Sequence, residues 1–406
     1  MRPEKLNALS LFSGIGGLCE GFKLAGFRVV GAVENDTYAA INYRANFAET
    51  PLFDGNIEEF MPADAPEEHL AKYANAGLVD VVFGGPPCQG YSQIGPRNIA
   101  DPRNGLYKEF CRVVRQVQPK FVVIENVPNM FLMNKGQFKK DIFEELIKSG
   151  YDNIGWSKFN AADFGVPQKR NRIFIIAAKR SIFSSDVQNL IDQACQSLKR
   201  EQVNVDDAIS DLPEMVSPSN KTLPYESKNN VTAFQKEMRL DYDGEIYCEE
   251  LKLEKYSNSD TEVRLHNHHT KDIQAKRLHL ISLLEQGQKA NSLPKEVWNN
   301  ARPEKWRRFD PKQPAHTLLA QMHRDLSEWI HPHHNRWITV REALRLQSFH
   351  DGFVLGTSEW RQLKQVGNAV PPLLGYVPAM AVNLGIAMLS GQERPFKASG
   401  QASLFL

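Results

Sequence analysis

The chain is short of cysteine, and what it has is scattered. Five cysteines in 406 residues, at positions 19, 88, 111, 195 and 248, are odd in number and form no CxxC pair. That argues against a disulfide framework and a zinc ribbon, and points to a reduced, intracellular protein. No uninterrupted apolar run of membrane-spanning length is apparent, and the N-terminal "MRPEKLNALSLFSGIGG" runs into a glycine turn without a clear signal-peptide cleavage site. Internal repeats and low-complexity tracts are also missing. Net charge is nearly absent, at +1, while 42% apolar and 24% charged residues are ordinary for a soluble globular chain.

That neutrality is uneven. Residues 264–336 hold 13 Lys or Arg against 7 Asp or Glu, and nine of the eleven histidines. Such a segment can face a polyanion or simply be a solvated surface. Up to about residue 185, β-rich runs alternate with helix-like ones. The strand candidates are "ALSLFS" (8–13), "RVVGAVE" (28–34), "VDVVFGG" (79–85), "KFVVIEN" (120–126) and "NRIFIIAAK" (171–179). Amphipathic stretches between them predict an α/β fold with a parallel sheet covered on both faces. Residues 186–335 lose this rhythm. A helix is expected in "TVREALRLQSF" (339–349) and a buried one in 368–389. The expected domains are 1–185 with 338–390, an irregular second domain over 186–337, and a loose tail over 391–406.

Ligands of open parallel sheets bind at the carboxyl ends of the strands, so the residues after each strand matter most. The first strand is followed by "FSGIGG", a turn open to close backbone approach. Glu34 ends the second, 20 residues beyond Gly14, a spacing suited to an acid gripping ribose hydroxyls. A plain tight turn and a nucleoside-containing cofactor both fit this pattern, and the glycines do not give GxGxxG. Further on stands "PPCQG": Cys88 in a stiff polar loop, where a thiolate can be presented if cations lower its pKa. Arg170 and Arg172 of "QKRNR" are candidate cations, and Glu125 a candidate acid. The other four cysteines read as small buried hydrophobes or as incidental.

These residues resemble the C5-type DNA cytosine methyltransferases of restriction–modification systems. The shared stretches run in order from residue 9 to 372: "LFSGIGG", "VEND", "GGPPCQGYSQIG", "DPRNGL", "ENVPN", "FGVPQKRNRIFII", "ITVREALRLQSF" and "QVGNAVPP". The resemblance implies a Rossmann-like methyltransferase sheet, mostly parallel with helices on both faces, plus a smaller target-recognition domain over 186–337. It implies S-adenosylmethionine as methyl donor. Phe12, Gly14, Ile15, Gly16 and Gly17 would line its site. Glu34, with Asn35 beside it, would hold the ribose, and Asn56 and Ile57 would flank the adenine. Pro86, Leu106, Asn368 and Val370 would complete the pocket. Many family members carry Asp where Asn56 stands; an amide can still accept from the adenine amino group. Cys88 would be the nucleophile, adding to cytosine C6. Glu125, Arg170 and Arg172 would contact the target base.

Attack from above the ring requires the base to leave the stack. "YSQIGPRN" after the nucleophile would close on it, with Gly90 and Gly95 as hinges or ordinary turn glycines. Gln89, Ser92 and Arg97 would touch DNA. In the second domain Lys305, Arg307 and Arg308, around Trp306, suit phosphate contact and groove entry. The histidines at 266, 268, 269, 331, 333 and 334 have no ligand framework around them, so no metal is expected. The implied partner is double-stranded DNA, with a cognate restriction endonuclease acting on the same site. A monomer without membrane association is expected, in the cytoplasm and at the nucleoid. Methylation of cytosine in RNA and a non-catalytic DNA-binding relative are the alternatives, with a nicotinamide enzyme further off.

Overall fold

A computed structural model describes residues 6–62, 64, 66–73, 79–87, 105–132, 136–214, 223–224, 231–239, 264–270, 273–298, 306–320 and 329–391. They fall into two compact units. The first lies within Met1–Asn160, Asn171–Lys199 and Pro372–Gly400, the second within Ala161–Arg170 and Arg200–Pro371. The expected domain boundaries differ from this division: residues 186–199 pack with the first unit, and 338–371 with the second.

The first unit is built on β1 (Leu6–Leu11), β2 (Phe27–Glu34), β3 (Leu52–Asp54), β4 (Val81–Gly84), β5 (Phe121–Asn126), β6 (Asn153–Asn160) and, after the two-residue β7 (Gln168–Lys169) of the other unit, β8 (Asn171–Ala178). The sheet order is β3-β2-β1-β4-β5-β8-β6. β1 to β5 pair in parallel, while β8 runs antiparallel to both β5 and β6. The central strands are buried along their whole length, as continuous Val/Ile/Phe runs require. β3 and β6 escaped the sequence reading. The first has three residues; the second alternates buried and exposed positions at the sheet edge.

Helices cover both faces. One face carries α1 (Gly17–Leu24), with Phe22 stacked 3.9 Å from Phe83. Helix Pro372–Leu389 lies on α1, and a Cβ on Gly21 would sit 2.5 Å from the Gly375 carbonyl carbon, so the pair meets backbone to backbone. The stretch Glu359–Leu389 is apolar enough to cross a membrane by length and composition, but 72% of that window is buried in the protein. It reads as a core segment. The opposite face packs Phe110, Val113 and Val114 of α4, a helix spanning Leu106–Val117, onto Leu9, Val82 and Val122.

In the second unit, Trp306 lies between Trp298 and Trp337, with ring centroids 5.1 and 5.5 Å away. The helix Val340–Leu346 is buried on all sides, its charged residues included. Thr339 caps it: Thr339 Oγ1 accepts from the Glu342 amide at 3.1 Å, and Glu342 Oε2 accepts from the Thr339 amide at 2.8 Å. Arg336 grips the same carboxylate at 2.7 and 2.9 Å. Burial alone would raise the Glu342 pKa, but the Arg336 guanidinium holds it far below the carboxylate range.

His331 is 5% exposed, and burial pushes its pKa down to about 3, the nearby Glu342 opposing this. Its Nδ1 accepts from the His333 and His334 amides, both at 3.1 Å, so the neutral ring is the folded form. The unfolded chain takes up this proton below about pH 6.5 and the folded chain does not. Stability from this residue is therefore present above pH 6.5 and lost as pH falls toward 3, with a slope approaching 1.4 kcal/mol per pH unit. Urea midpoints measured across that window should fall more gently for His331→Asn, whose amide oxygen can accept in place of Nδ1. An unchanged slope would mean that the ring is charged in the folded state.

Candidate active site

The order of the sheet reverses between β1 and β4: β2 and β3 lie to one side of β1, β4 and β5 to the other. Such a reversal opens a crevice at the carboxyl ends of the strands. A cavity of about 220 Å³ lies there. Phe12 borders it after β1, Val33, Glu34 and Asn35 at the end of β2, Gly55 to Glu58 after β3, and Leu106 at the start of α4. Phe12 has φ of 56°, a left-handed conformation that costs a non-glycine residue roughly 1–2 kcal/mol. Gly16, at φ 94°, has no such choice, because a Cβ there would come within 2.1 Å of the Phe47 ring.

Glu34 ties the crevice together. Its Oε2 accepts from the Gly14 amide at 2.7 Å, and its Oε1 accepts from the Asn35 and Asp36 amides at 3.0 and 2.8 Å. Burial raises its pKa while these amides oppose the rise. A carboxylate accepts about four hydrogen bonds, so Oε2 has room for one more. Across the cavity, Asn35 Nδ2 donates to Asn56 Oδ1 at 3.2 Å. An acid with spare acceptor capacity, an amide and the apolar walls of Phe12, Val33, Ile57 and Leu106 fit the hydroxyls and base of a nucleoside.

Six of the expected cofactor residues border the cavity: Phe12, Glu34, Asn35, Asn56, Ile57 and Leu106. Gly14 reaches it through Glu34. Ile15 is 2% exposed and belongs to the core, Gly16 and Gly17 begin α1, and Pro86 is buried outside the lining. Asn368 and Val370 lie in the second unit. Sequence reasoning missed Arg112 of α4. Its guanidinium donates to the carbonyls of Ile57, Phe60 and Met61 at 2.7, 2.9 and 2.8 Å, while Glu109 accepts from Nε at 2.7 Å. It fixes the cavity wall that carries Asn56. The available signal was one arginine in the apolar-flanked "CRVV".

A second group forms where β5 ends and β8 begins. Arg172 Nε donates to Glu125 Oε1 at 2.8 Å, both side chains being 12% exposed. Beside them Asn126 Nδ2 donates to the Pro86 carbonyl at 2.9 Å, fastening the end of β5 to the proline corner. A Cβ on Gly85 would lie 2.6 Å from Glu125 Oε2, so the acid occupies the space a side chain would need. The chain then leads through Pro87 to Cys88. Cys88 itself, with Gln89, Ser92, Arg97, Lys305 and the hinge candidates Gly90 and Gly95, lies outside the described residues.

Arg170 departs from its expected part. It is fully buried in the second unit, and its terminal nitrogens donate to the carbonyls of Leu318, Gly367 and Ala369 at 2.9, 2.9 and 2.8 Å. It holds backbone where a base contact was expected. Arg308 departs likewise. It is 5% exposed, with donations to the Ile281 and His331 carbonyls and to Asn335 Oδ1 at 2.8, 3.1 and 2.6 Å. Arg307 is half-buried, its guanidinium 5.6 Å from the Trp329 ring centroid. Burial pushes the Cys19 thiol up to about 11 and the Cys111 and Cys195 thiols up to about 12, which leaves all three inert at neutral pH.

Cavity and corner set a hollow that suits a nucleoside and an acid–arginine pair at the carboxyl ends of the strands. A sequence model described as C-5 cytosine-specific DNA methylase matches residues 6–382, and the chain belongs to that family. It is a DNA (cytosine-5-)-methyltransferase. It is 33% identical over 386 residues to the type II methyltransferase M1.HphI of Haemophilus parahaemolyticus, covering 93% of this chain and 86% of that protein. Identity to M.AgeI of Thalassovita gelatinovora, also a type II methyltransferase, is 31% over 438 residues, covering 94% and 100%. Among solved structures, a DNA modification methyltransferase encoded within an E. coli prophage aligns at a TM-score of 0.72 with 27% identity, over 95% of this chain and all of that one.

Two outcomes follow from this geometry. Gly85→Ala should displace Glu125 and cut the methylation rate roughly 10²-fold while cofactor affinity is kept. A rate within twofold of the parent would separate Glu125 from the chemistry. Arg112→Met should weaken S-adenosylhomocysteine binding about tenfold or more, measured calorimetrically, by freeing the 57–61 wall. An unchanged Kd would show that the wall stands without it.

Proposed function

We propose that the cavity holds S-adenosylmethionine and that Cys88 is the nucleophile acting on a cytosine turned out of duplex DNA. The reading rests most on the Glu125–Arg172 pair beside Gly85 and Pro86, two residues short of Cys88. In the cavity, Glu34 would accept from the ribose through Oε2. Asn56 would meet the adenine edge as acceptor and donor, an amide being able to do both. The cofactor supplies an electrophilic methyl group as a sulfonium.

The chain's own work is to make C5 of cytosine able to accept that methyl. The Cys88 thiolate adds to C6, which breaks ring conjugation and gives C5 enamine character. Glu125 donates a hydrogen bond or proton at N3, stabilising the charge that develops, while Arg172 fixes the orientation of the carboxyl group. Loss of the C5 proton and departure of the thiolate yield 5-methylcytosine and S-adenosylhomocysteine. The proline corner holds the sulfur in place before reaction, so orientational entropy is lost on folding. Arg170 serves as a positioning residue. The second unit reads the sequence around the target base. A monomer suffices for this chemistry. A cytoplasmic enzyme at the nucleoid, paired with an endonuclease of the same specificity, accords with the type II names of the relatives.

Duplex oligonucleotides containing 5-fluorocytosine test this reading, since fluorine at C5 blocks proton loss and leaves the addition product trapped. Incubation with S-adenosylmethionine should give a denaturation-resistant complex, mapped by peptide sequencing to Cys88. Cys88→Ala should bind the duplex and form none. An adduct at another residue, or parent-level methylation by Cys88→Ala, would overturn the assignment.

A further inference from the structure

Two short strand pairings in the second unit gather cationic side chains around one hollow. β7 pairs in parallel with Ala315–His316, which sets Lys169 in register with His316. Lys289 bridges Arg307 in antiparallel register. A cavity of about 130 Å³ is lined by Lys169, Arg308, His316, Gln313 and Asp310, with Phe309 and Pro314 among its apolar walls, while Lys289 and Arg307 stand outside the lining. Burial and the positive fields of Arg307, Lys169 and Lys289 push the His316 pKa down to about 4, so those three charges converge on the ring. The Lys169 ammonium donates to the neutral Gln313 Oε1 at 3.3 Å. Neither Lys169 nor Lys289 forms an ion pair with a described carboxylate. Asp310 is the one acid in the lining, and its Oδ1 accepts from the Lys312 amide at 2.9 Å.

Like charges fixed on paired strands repel one another, and no acid of the described residues neutralises the lysines. Such a grouping is favourable when a ligand brings the counter-charge. The backbone beneath Lys169 is rigid. Its neighbours Gln168 and Arg170 are both fully buried; Gln168 Nε2 donates to the Leu346 carbonyl at 3.1 Å, and Gln168 Oε1 accepts from the Leu318 amide at 2.9 Å. We propose that Lys169, Lys289, Arg307 and His316 form a seat for one backbone phosphate of the DNA substrate, His316 donating through a ring N–H. The proposal rests on the methyltransferase's DNA substrate and adds where its strand is gripped. It keeps Arg307 as a phosphate contact of this unit, drops Arg308, which is spent on carbonyls and Asn335, and adds Lys169, Lys289 and His316, which the charge pattern did not single out.

A phosphate contact carries no sequence information and leaves a signature in salt dependence. Binding of a fluorescent mixed-sequence duplex would be measured across a series of salt concentrations for the parent, Lys169→Gln, Lys289→Gln and the double variant. Each single change should weaken binding to unrelated duplexes by a similar factor. Each should also lower the slope of log affinity against log salt by about 0.9, with the double variant losing about twice that. S-adenosylhomocysteine affinity, measured calorimetrically, checks that the variants fold. An unchanged slope in a folded double variant overturns the proposal. So does thermal stabilisation by inorganic phosphate that the double variant loses while its DNA slope stays at the parent value, because the hollow would then serve a free anion. A parent protein with no salt-dependent DNA binding would instead sink the DNA reading beneath it.

Discussion

The direction of one strand decides whether Glu125 and Arg172 can meet beside the proline corner. In an all-parallel sheet every strand begins at one edge and ends at the other. A residue at a strand's start then cannot meet a residue at its neighbour's end. β8 runs against β5, so the start of β8 lies beside the end of β5. Arg172, the second residue of β8, thereby reaches Glu125, the fifth of β5, at 2.8 Å. Both then stand at the same edge as the Gly14 turn and Glu34. The rest of the site follows from that return. Asn126 can fasten the proline corner because the end of β5 is already fixed by its antiparallel partner.

Much of this was legible in the sequence because burial and strand ends leave strong marks. Continuous apolar runs marked β1, β2, β4, β5 and β8, and the helical spacing of "GLYKEFCRVVRQV" marked α4. Glu34 was found by its distance from Gly14, and the two are in contact. The reversed direction of β8 was not readable, since a buried strand has the same composition whichever way it runs. β6, "NIGWSKFN", breaks the alternation with adjacent Ser157 and Lys158 and buries Asn153, and three-residue β3 carries too little pattern to stand out. Arg112 was missed for another reason. Its three carbonyl partners lie 51 to 55 residues away, and a chain contact of that range has no local signature.

The second unit shows where charge misleads. Reading basic residues as surface placed Arg308 against DNA, and the "QKRNR" resemblance placed Arg170 against the base, yet both are interior donors to backbone carbonyls. An arginine carries five N–H groups in a rigid fork, so one side chain can satisfy several carbonyls of irregular backbone at once. A unit with few regular strands leaves many carbonyls to satisfy. "REALRL" illustrates the same demand. Periodicity picks out Ala343, Leu344 and Leu346, but Arg341 and Arg345 are also fully buried. Arg345 Nη1 donates to Asp211 Oδ1 at 3.0 Å and its Nε to Asp351 Oδ1 at 2.7 Å. Removing one member of such a network strands the others without counter-charge, a loss of about 3–5 kcal/mol.

Charge inside and charge outside therefore divide the basic residues of this unit by partner type. Arginines that meet carbonyls build the scaffold; Lys169 and Lys289 form no ion pair with an acid among the described residues. Lysine suits the second part, because its ammonium is a compact point charge that a phosphate can approach from several directions. The backbone beneath still has to be stiff if the contact is to fix register. Arg170 and Gln168 provide that stiffness on either side of Lys169. Three consecutive residues thus hold separate duties, buried, exposed and buried, as the alternation of an extended strand dictates. Arg172 of β8 follows three residues after Lys169 of β7, so the proposed phosphate contact and the hold on Glu125 belong to one short stretch of chain.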